Sequence, residues 1–517
     1  MDIVLLLICM ISFLAAYSVV VVDSMHFFQL NSYDSPTHLK WIKKNARKYT
    51  PVLVTFAAGL GLFCLSVNIF FIGISLLFIL NILLLRPKKA KKPLVYTNRV
   101  KRMLIGIGFL ILILFIFLYH FQSIKASALI VLVLYLFSPF IVLLINLINM
   151  PIEKSINQHY INEARKILNS AKGLTIIGIT GSYGKTSMKY FLTTLLKAKY
   201  NVLMTPESYN TPMGIVKTIR GSLNAMHEIF VCEMGAKKVG EIKEICDIVH
   251  PDHGIITSIG PQHLETFKSL ENVKKTKFEL ADSLPENGMM FINGDDGNIA
   301  DYPINRPFIR YSINGKGDYH AYDIKLSDRG TTFRVQAPGG DICDFRTKLI
   351  GAHNVLNITG AIAAANSMGI PLHDLKAQVK KIEGVPHRLQ LMNKGGHLII
   401  DDSYNSNPVG VMAALETLSL FDGFKIIVTP GMVELGDKQD EYNFEFAGKA
   451  ASVCDYVIIL GQTNNKSLSA GLAAAGYPDS KIYPAGTIQD AFHHINIINS
   501  EGRKKIILIE NDLPDNF

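Results

Sequence analysis

The pattern of apolar and polar positions changes near residue 150. Before it, long apolar runs alternate with short basic stretches; after it, short apolar runs alternate with amphipathic stretches of helical period. Ile3 to Val22 is apolar over the ~20 residues a helix needs to cross a bilayer, without the basic start and small-residue cleavage site of a signal peptide. Val52 to Leu85 is too long for one untilted span and predicts a hairpin of two short spans turning near Asn68. Met103 to Leu118 and Ser127 to Ile148 predict two more, the last kinked by Pro139. Residues 151–172 place Ile156, Ile161, Ala164, Ile167 and Leu168 on one side, the pattern of an amphipathic helical connector.

From 173 onward the period alternates between that of strands and that of helices. Strands are predicted at 174–179, 201–205, 228–232, 254–259 and 289–292, with helices at 186–198, 212–223, 238–246 and 271–283 between them. That order is the signature of a doubly wound α/β sheet. Residues 307–350 read as an antiparallel extension, and 354–368 and 372–382 as helices. Gly384 and Pro386 mark a hinge, beyond which a second series, Rossmann-like, has strands at 397–400, 425–429, 456–460 and 505–509. The expected organisation is therefore a membrane domain at 1–150, a connector at 151–172, a P-loop sheet domain at 173–386 and a C-terminal α/β domain at 387–517.

Charge fixes the number of crossings. Residues 1–150 hold 14 basic and 3 acidic side chains, a net of +11, leaving 38 basic against 40 acidic in the remainder. The basic balance belongs to the membrane part and suits anionic lipid rather than nucleic acid. Lys40, Lys43, Lys44, Arg47 and Lys48 follow the first span, and Arg86, Lys88, Lys89, Lys91, Lys92, Arg99, Lys101 and Arg102 crowd 86–102; both loops belong on the cytoplasmic side. Two crossings must then lie within 52–85. About five spans put the N-terminus outside the inner membrane and everything after 150 inside, with the ATP. The polar loop from Gln29 to Trp41 is a solvated connector or a contact for a substrate headgroup. Six scattered cysteines without a C-x-x-C suggest a reducing compartment and no zinc site.

The chemistry begins at Gly178-Ile179-Thr180-Gly181-Ser182-Tyr183-Gly184-Lys185-Thr186. Strand, glycine-rich turn and helix form a phosphate cradle: backbone N–H groups and the helix start, at Ser187 and beyond, face a polyphosphate, Lys185 reaches its outer phosphates and the Thr186 hydroxyl suits Mg²⁺. A strict G-x-x-x-x-G-K-T pattern would need glycine where this chain has Ile179. Further polar residues follow predicted strands, where an open α/β sheet builds its site: Glu233, a candidate Mg²⁺ ligand; His263; and Asn293. Taken singly, each also reads as an ordinary strand-end or turn residue, and Lys277 as part of a basic solvated helix. Arg388 lies past the hinge, and Asp401-Asp402-Ser403-Tyr404-Asn405-Ser406-Asn407-Pro408 closes a strand and starts a helix.

As an ordered set these residues resemble the Mur ligases, most nearly the MurF type. The matching segments are Gly-x-Thr-Gly-Ser-x-Gly-Lys-Thr at 178–186, Glu-Met-Gly-Ala at 233–236, Ile-Gly-x-x-His-Leu-Glu at 259–265, Lys-x-Glu at 277–279, Asn-x-Asp-Asp at 293–296, Gly-x-His-Asn at 351–354, His-Arg-Leu-Gln at 387–390, Asp-Asp-Ser-Tyr-Asn-x-Asn-Pro at 401–408 and Glu-Leu-Gly at 434–436. The resemblance spans about 173–440. It implies ATP held by Gly181, Ser182, Gly184, Lys185, Thr186 and Ser187. It implies one Mg²⁺ on Thr186 and Glu233, and a second framed by Glu233, His263 and a Lys277 carbamylated by CO₂. Asn293 would lie at the base region, and Arg388 and Asp402 would complete the site on domain closure. The implied reaction activates a carboxylate as an acyl phosphate that an amine then attacks.

Two regions depart from that family. A membrane domain stands where the MurF type binds its UDP-sugar, and the chain reads Ile509-Glu510-Asn511-Asp512-Leu513-Pro514-Asp515-Asn516 where the MurF type carries a Lys-Gly-Ser-Arg-like segment. Both changes fall on substrate-recognising regions. The expected partners are a small-molecule or lipid-linked carboxylate, an amino acid or dipeptide amine, and membrane lipid. A poly-γ-glutamate-synthase-like ligase, a P-loop ATPase driving transport or assembly, and a silent scaffold remain alternatives.

Overall fold

The computed structural model describes residues 2–86, 92–120, 124–207, 209–315, 317–327, 329–404 and 406–511. Lys88, Lys89, Lys91, Asn405 and the tail from Asp512 to Asn516, all singled out above, lie outside the described residues. The chain forms two compact units, one up to Gln158 and one from His159.

The first unit is helical: α1 (Asp2–Leu30), α2 (Ser35–Lys44), α3 (Thr50–Leu62), α4 (Val67–Leu84), α5 (Asn98–His120), α6 (Ile124–Leu136) and α7 (Ile141–Ser170), which runs on into the second unit. Val4–Leu30, Val67–Leu84, Asn98–Leu118 and Ser138–Ser170 are long and apolar enough to cross a membrane; α3 and α6, of 13 residues each, are shorter. The 52–85 run is two helices, broken at 63–66, just before Asn68. At Pro139 the chain does not kink one helix; it breaks into a short 3-10 turn, Ser138–Phe140, that separates α6 from α7. The amphipathic stretch after 150 is no separate element. It continues α7, with Pro151 inside the helix. Phe13, Tyr17, Phe28, Phe78 and Tyr135 fill the core, while Ile11, Leu83 and Ile105 stand about 70% exposed on the outside (67%, 68% and 72%).

In the second unit the first sheet is built from β1 (Thr175–Thr180), β2 (Val202–Met204), β3 (Ile229–Glu233), β4 (His253–Ile256), β5 (Met290–Asn293), β6 (Phe308–Ser312), β7 (Tyr319–Ser327), β8 (Gly330–Gln336) and β9 (Ile342–Thr347), in the order β2-β3-β1-β4-β5-β6-β7-β8-β9. Its helices are α8 (Lys185–Leu196), α9 (Pro212–Ser222), α10 (Glu241–Val249), α11 (Leu264–Phe267), α12 (Leu270–Asp282), α13 (Gly297–Ala300), α14 (Ala352–Ser367) and α15 (Leu372–Val379). Two apolar cores, one under α8 and α14 and one under α9, α10 and α12, cover the two faces, as a parallel sheet needs. The expected antiparallel extension is smaller than 307–350. β6 and β7 still pair parallel, and only β7-β8-β9 run antiparallel.

The second sheet has the order β10-β11-β15-β12-β13-β14. Its strands are β10 (Gln390–Lys394), β11 (His397–Asp402), β12 (Phe424–Thr429), β13 (Tyr456–Leu460), β14 (Ile482–Ala485) and β15 (Lys505–Glu510), with helices α16 (Pro408–Ser419), α17 (Gln439–Val453), α18 (Asn465–Ala474) and α19 (Ile488–Ile497). All pairs are parallel except β10 with β11. That hairpin closes through Gly395 and Gly396, both with positive φ (60° and 78°), the requirement of a two-residue type I′ turn.

Candidate active site

The glycine-rich loop joins β1 to α8 at the C-terminal edge of the first sheet. Gly181 has φ 150°, and a Cβ there would strike Thr257 Oγ1; Gly184 caps α8 with φ 78°. Only glycine satisfies both the turn and the close approach. The loop is fastened to 257–261: Ser182 N donates to Ser258 O (2.7 Å), Ser182 Oγ to Gly260 O (3.1 Å), and Tyr183 N to Ser258 Oγ (3.0 Å). Lys185 curls over the loop and donates to Gly181 O (2.7 Å) and Ser182 O (3.1 Å). Burial lowers its pKa to about 8, with Glu233 opposing and Arg388 adding to the shift.

Glu233 closes β3 beside this loop and is 1% exposed. Its Oε1 accepts from Thr186 Oγ1 (3.2 Å) and Asn210 Nδ2 (3.0 Å); its Oε2 is ion-paired with Lys189 Nζ (3.0 Å). Lys189 also donates to the Glu207 carbonyl. Burial would raise the Glu233 pKa, but Lys189 and Lys185 outweigh it and hold the carboxylate ionised.

His263 follows β4 with φ 52°, and its Nδ1 meets Glu434 Oε2 at 2.5 Å; Glu434 itself has φ 63°. Burial lowers the His263 pKa although Glu434 opposes it. Against its own desolvation, Glu434 is held at about 2 by the His263 hydrogen bond and by Lys237. With the imidazole neutral, Nδ1 would donate to the Glu434 carboxylate and leave the lone pair on Nε2. Lys277, on α12, is 1% exposed. It has no carboxylate partner among the described residues, and its Nζ lies 5.9 Å from the Phe267 ring centroid. Burial and the neighbouring Lys185 lower its pKa well below the ordinary range.

The C-terminal half reaches the same place. Arg388, between His387 and Leu389 with φ 60° and 46°, donates from Nη2 to Thr186 Oγ1 at 3.5 Å, the outer limit of a hydrogen bond, and lies over the Tyr404 ring at 4.6 Å. Such left-handed backbone outside glycine clusters at functional sites. Asp402 ends β11, accepts from Leu389 N (3.2 Å), and sits in register with Glu510 of β15. Burial raises Asp402 to about 6 against the pull of Arg388. Burial, and then the neighbouring Asp402 charge, raise the Glu510 pKa well above the ordinary carboxylate range.

The loop thus gathers Lys185, Thr186, Glu233 and Arg388, with His263 and Lys277 on flanking elements. Asn293 is 4% exposed and spends its amide on Thr257 O (3.0 Å) and Asp295 N (3.0 Å), closing a turn. Lys189, Asn210, Glu434 and Glu510 were not among the sequence candidates. Lys189 lies one helical turn beyond Lys185, and Glu434 opens the Glu-Leu-Gly segment; both spacings were available as signals.

A P-loop α/β domain whose phosphate end is met by an arginine from a second α/β domain defines a class, the P-loop nucleotide-binding proteins with a composite site. Residues 179–365 match the Mur ligase middle domain, and 387–509 match the Mur ligase glutamate ligase domain. The chain belongs to the Mur ligase family. Over 311 residues it is 31% identical to the UDP-N-acetylmuramoyl-tripeptide–D-alanyl-D-alanine ligase of Escherichia coli (strain K12), covering 59% of this chain and 68% of that one. Against the same enzyme of Bacillus subtilis (strain 168) it is 31% identical over 277 residues, 53% of this chain and 59% of the relative. Among solved structures, MurF from Acinetobacter baumannii superposes with a TM-score of 0.62 at 27% identity, over 69% of this chain and 77% of that one. MurF from Thermotoga maritima in complex with ADP gives 0.62 at 25% identity, over 69% and 80%.

Proposed function

We propose that this chain is a membrane-anchored ligase that joins the carboxylate of a cell-wall precursor, lipid-linked or nucleotide-linked, to the amine of an amino acid or dipeptide. The observation that carries the reading is the convergence of Arg388 and Glu434, from the C-terminal half, on Thr186 and His263 of the P-loop half. A phosphate cradle alone hydrolyses ATP; a second domain docked on it supplies a place for the amine and excludes water. The relatives' names supply the substrate class, a muramoyl tripeptide and D-alanyl-D-alanine.

The carboxylate oxygen attacks the γ-phosphorus of ATP and ADP leaves; the amine nitrogen then attacks the acyl carbon, loses its proton, and phosphate leaves. Lys185 and Arg388 face the transferring phosphoryl group and offset its charge. Thr186 Oγ1 and Glu233 Oε1 lie 3.2 Å apart, a hard-oxygen pair suited to Mg²⁺. When bound, Mg²⁺ would neutralise phosphate charge. His263 offers an Nε2 with no hydrogen-bond partner among the described residues, on a ring oriented by a carboxylate, the usual arrangement of a metal-binding imidazole. Lys277 is buried with no ion-paired carboxylate among the described residues, and burial lowers its pKa; as a neutral amine it would be a nucleophile for CO₂, and carbamylation would turn it into a carboxylate-like ligand. Membrane anchoring rests on the apolar exterior of the first unit and on its two basic loops, with five crossings, the N-terminus outside and the catalytic half in the cytoplasm.

Purified full-length protein with ATP and Mg²⁺ is expected to release ADP and phosphate only when a muramoyl tripeptide, UDP-linked or polyprenyl-linked, and D-alanyl-D-alanine are both supplied. Lys277→Ala is expected to lose that turnover and recover part of it with added short carboxylic acids. Full ATP hydrolysis by Lys277→Ala without any acceptor would instead identify a transport-type ATPase.

A further inference from the structure

The end of β15 lies against the motif that follows β11. Glu510 and Asp402 are register partners on these adjacent parallel strands, so their side chains stand on one face of the sheet at its C-terminal edge. Ser406 Oγ donates to Glu510 Oε1 (2.7 Å). Asn511 fastens the same corner, from its backbone N to Asp402 O (3.2 Å) and from Nδ2 to Gly431 O (2.7 Å). Glu510 is 1% exposed, and no other side chain or backbone N–H among the described residues donates to its Oε2. What remains for Glu510 is the carboxyl group of Asp402, to which it is hydrogen-bonded. Two carboxyl groups share a hydrogen bond only if one of them carries a proton.

The surroundings say which one. Arg388 faces Asp402, and Leu389 N donates to Asp402 Oδ1 (3.2 Å), so the negative charge is best placed on Asp402. Asp401 also faces Asp402, but its own carboxylate is engaged by His387 Nδ1 (2.8 Å) and Ser403 Oγ (2.6 Å). Glu510 meets only Asp402 and Ser406, and burial raises its pKa well above the carboxylate range. Asp402 in turn braces the His387–Leu389 turn, whose left-handed residues flank Arg388 and carry it to Thr186 of the P-loop. We propose that Glu510 is a positioning residue of the ligase: its protonated carboxyl holds Asp402, and Asp402 so held keeps Arg388 at the phosphate cradle. The role rests on the ligase reading above and deepens it, because Glu510 belongs to the segment that departs from the MurF type. An ionised Glu510 would set two like charges side by side without water and push Asp402 off Leu389 and Arg388. Turnover is therefore expected below the folded pKa of Glu510 and lost as pH rises through it.

The test uses full-length protein and two readouts. Infrared difference spectra between wild type and Glu510→Gln, at a pH where exposed carboxyls are ionised, should show the carbonyl band of one protonated carboxyl in wild type only. Turnover is then followed against pH at saturating ATP, with muramoyl tripeptide and D-alanyl-D-alanine. Wild-type kcat should fall on the alkaline side at the pH where the infrared band disappears. Glu510→Ala should lower kcat roughly tenfold or more, since hydrogen bonds to charged groups carry about that factor, with KM for the amine little changed. Glu510→Gln, whose amide N–H still reaches Asp402 and whose carbonyl still accepts from Ser406, should recover most of that loss and show no alkaline fall. Absence of the band overturns the proposal. So does Glu510→Gln as slow as Glu510→Ala, or an alkaline fall shared by wild type and Glu510→Gln. Glu510→Ala that melts earlier yet turns over at the wild-type rate shows a structural role only, and also overturns it. Wild type that shows the band but turns over with no acceptor would instead overturn the ligase reading and leave the shared proton standing.

Discussion

Glu233 is shared between two tasks. Its Oε1 faces Thr186 and its Oε2 faces the fully buried Lys189. Removing one partner of a buried ion pair costs about 3–5 kcal/mol because it strands the other. Lys189→Met should therefore destabilise the protein by roughly that amount, whereas Lys189→Met combined with Glu233→Leu should recover most of it in denaturant unfolding. A double variant as unstable as the single one would show that the pair is not what couples them. Lys185 yields a pH test. Burial sets it near 8, so the nucleotide-free protein carries its charge below that pH and loses it above. ATP affinity should fall as pH rises through about 8, and Lys185→Met should flatten that dependence in a direct binding titration. The sequence made Lys185, Thr186 and Glu233 legible because their types and spacing are dictated by phosphate and metal chemistry. Lys189 was hidden, because a lysine on a helix is solvated unless the fold turns it inward.

At the scale of elements, the contact between His263 and Glu434 joins two turns in left-handed backbone. Glu434 falls from an ordinary 4.5 to about 2 in the folded chain. A lowered carboxylate stabilises the fold above the unfolded value and loses that contribution as pH falls toward the folded one. His263, also lowered, acts in the same direction, since its protonation is disfavoured in the fold. Acidification from about 4.5 to about 2 should thus weaken the protein, and Glu434→Gln should flatten the pH–stability curve in that window, as measured by urea unfolding at stepped pH. The long periodic elements were legible, including every strand of the P-loop core, because the burial of both sheet faces writes continuous apolar runs. β10 escaped notice, although its Asn393-Lys394-Gly395-Gly396 turn is a hairpin signal, because an edge strand has only one buried face. The pairing of Asp402 with Glu510 could not be read at all: it depends on β15 returning to lie beside β11.

For the molecule as a whole, topology is testable through its cysteines. Cys64 is exposed in the break between α3 and α4, whereas Cys9, Cys232, Cys246 and Cys454 are buried. In the proposed five-span arrangement, with two crossings in 52–85 and basic loops inside, Cys64 would face outward. A membrane-impermeant maleimide should label it in intact cells, and Cys64→Ser should abolish that labelling; labelling of Cys64 only after lysis would contradict the five-span arrangement.

The central claim is that the site makes an acyl phosphate, and oxygen tracing tests it most directly. With the acceptor carboxylate enriched in ¹⁸O, ATP, Mg²⁺ and D-alanyl-D-alanine, the phosphate released by full-length protein should carry one ¹⁸O from that carboxylate for each amide formed. Phosphate released without the label, with its new oxygen drawn from water, would contradict the account.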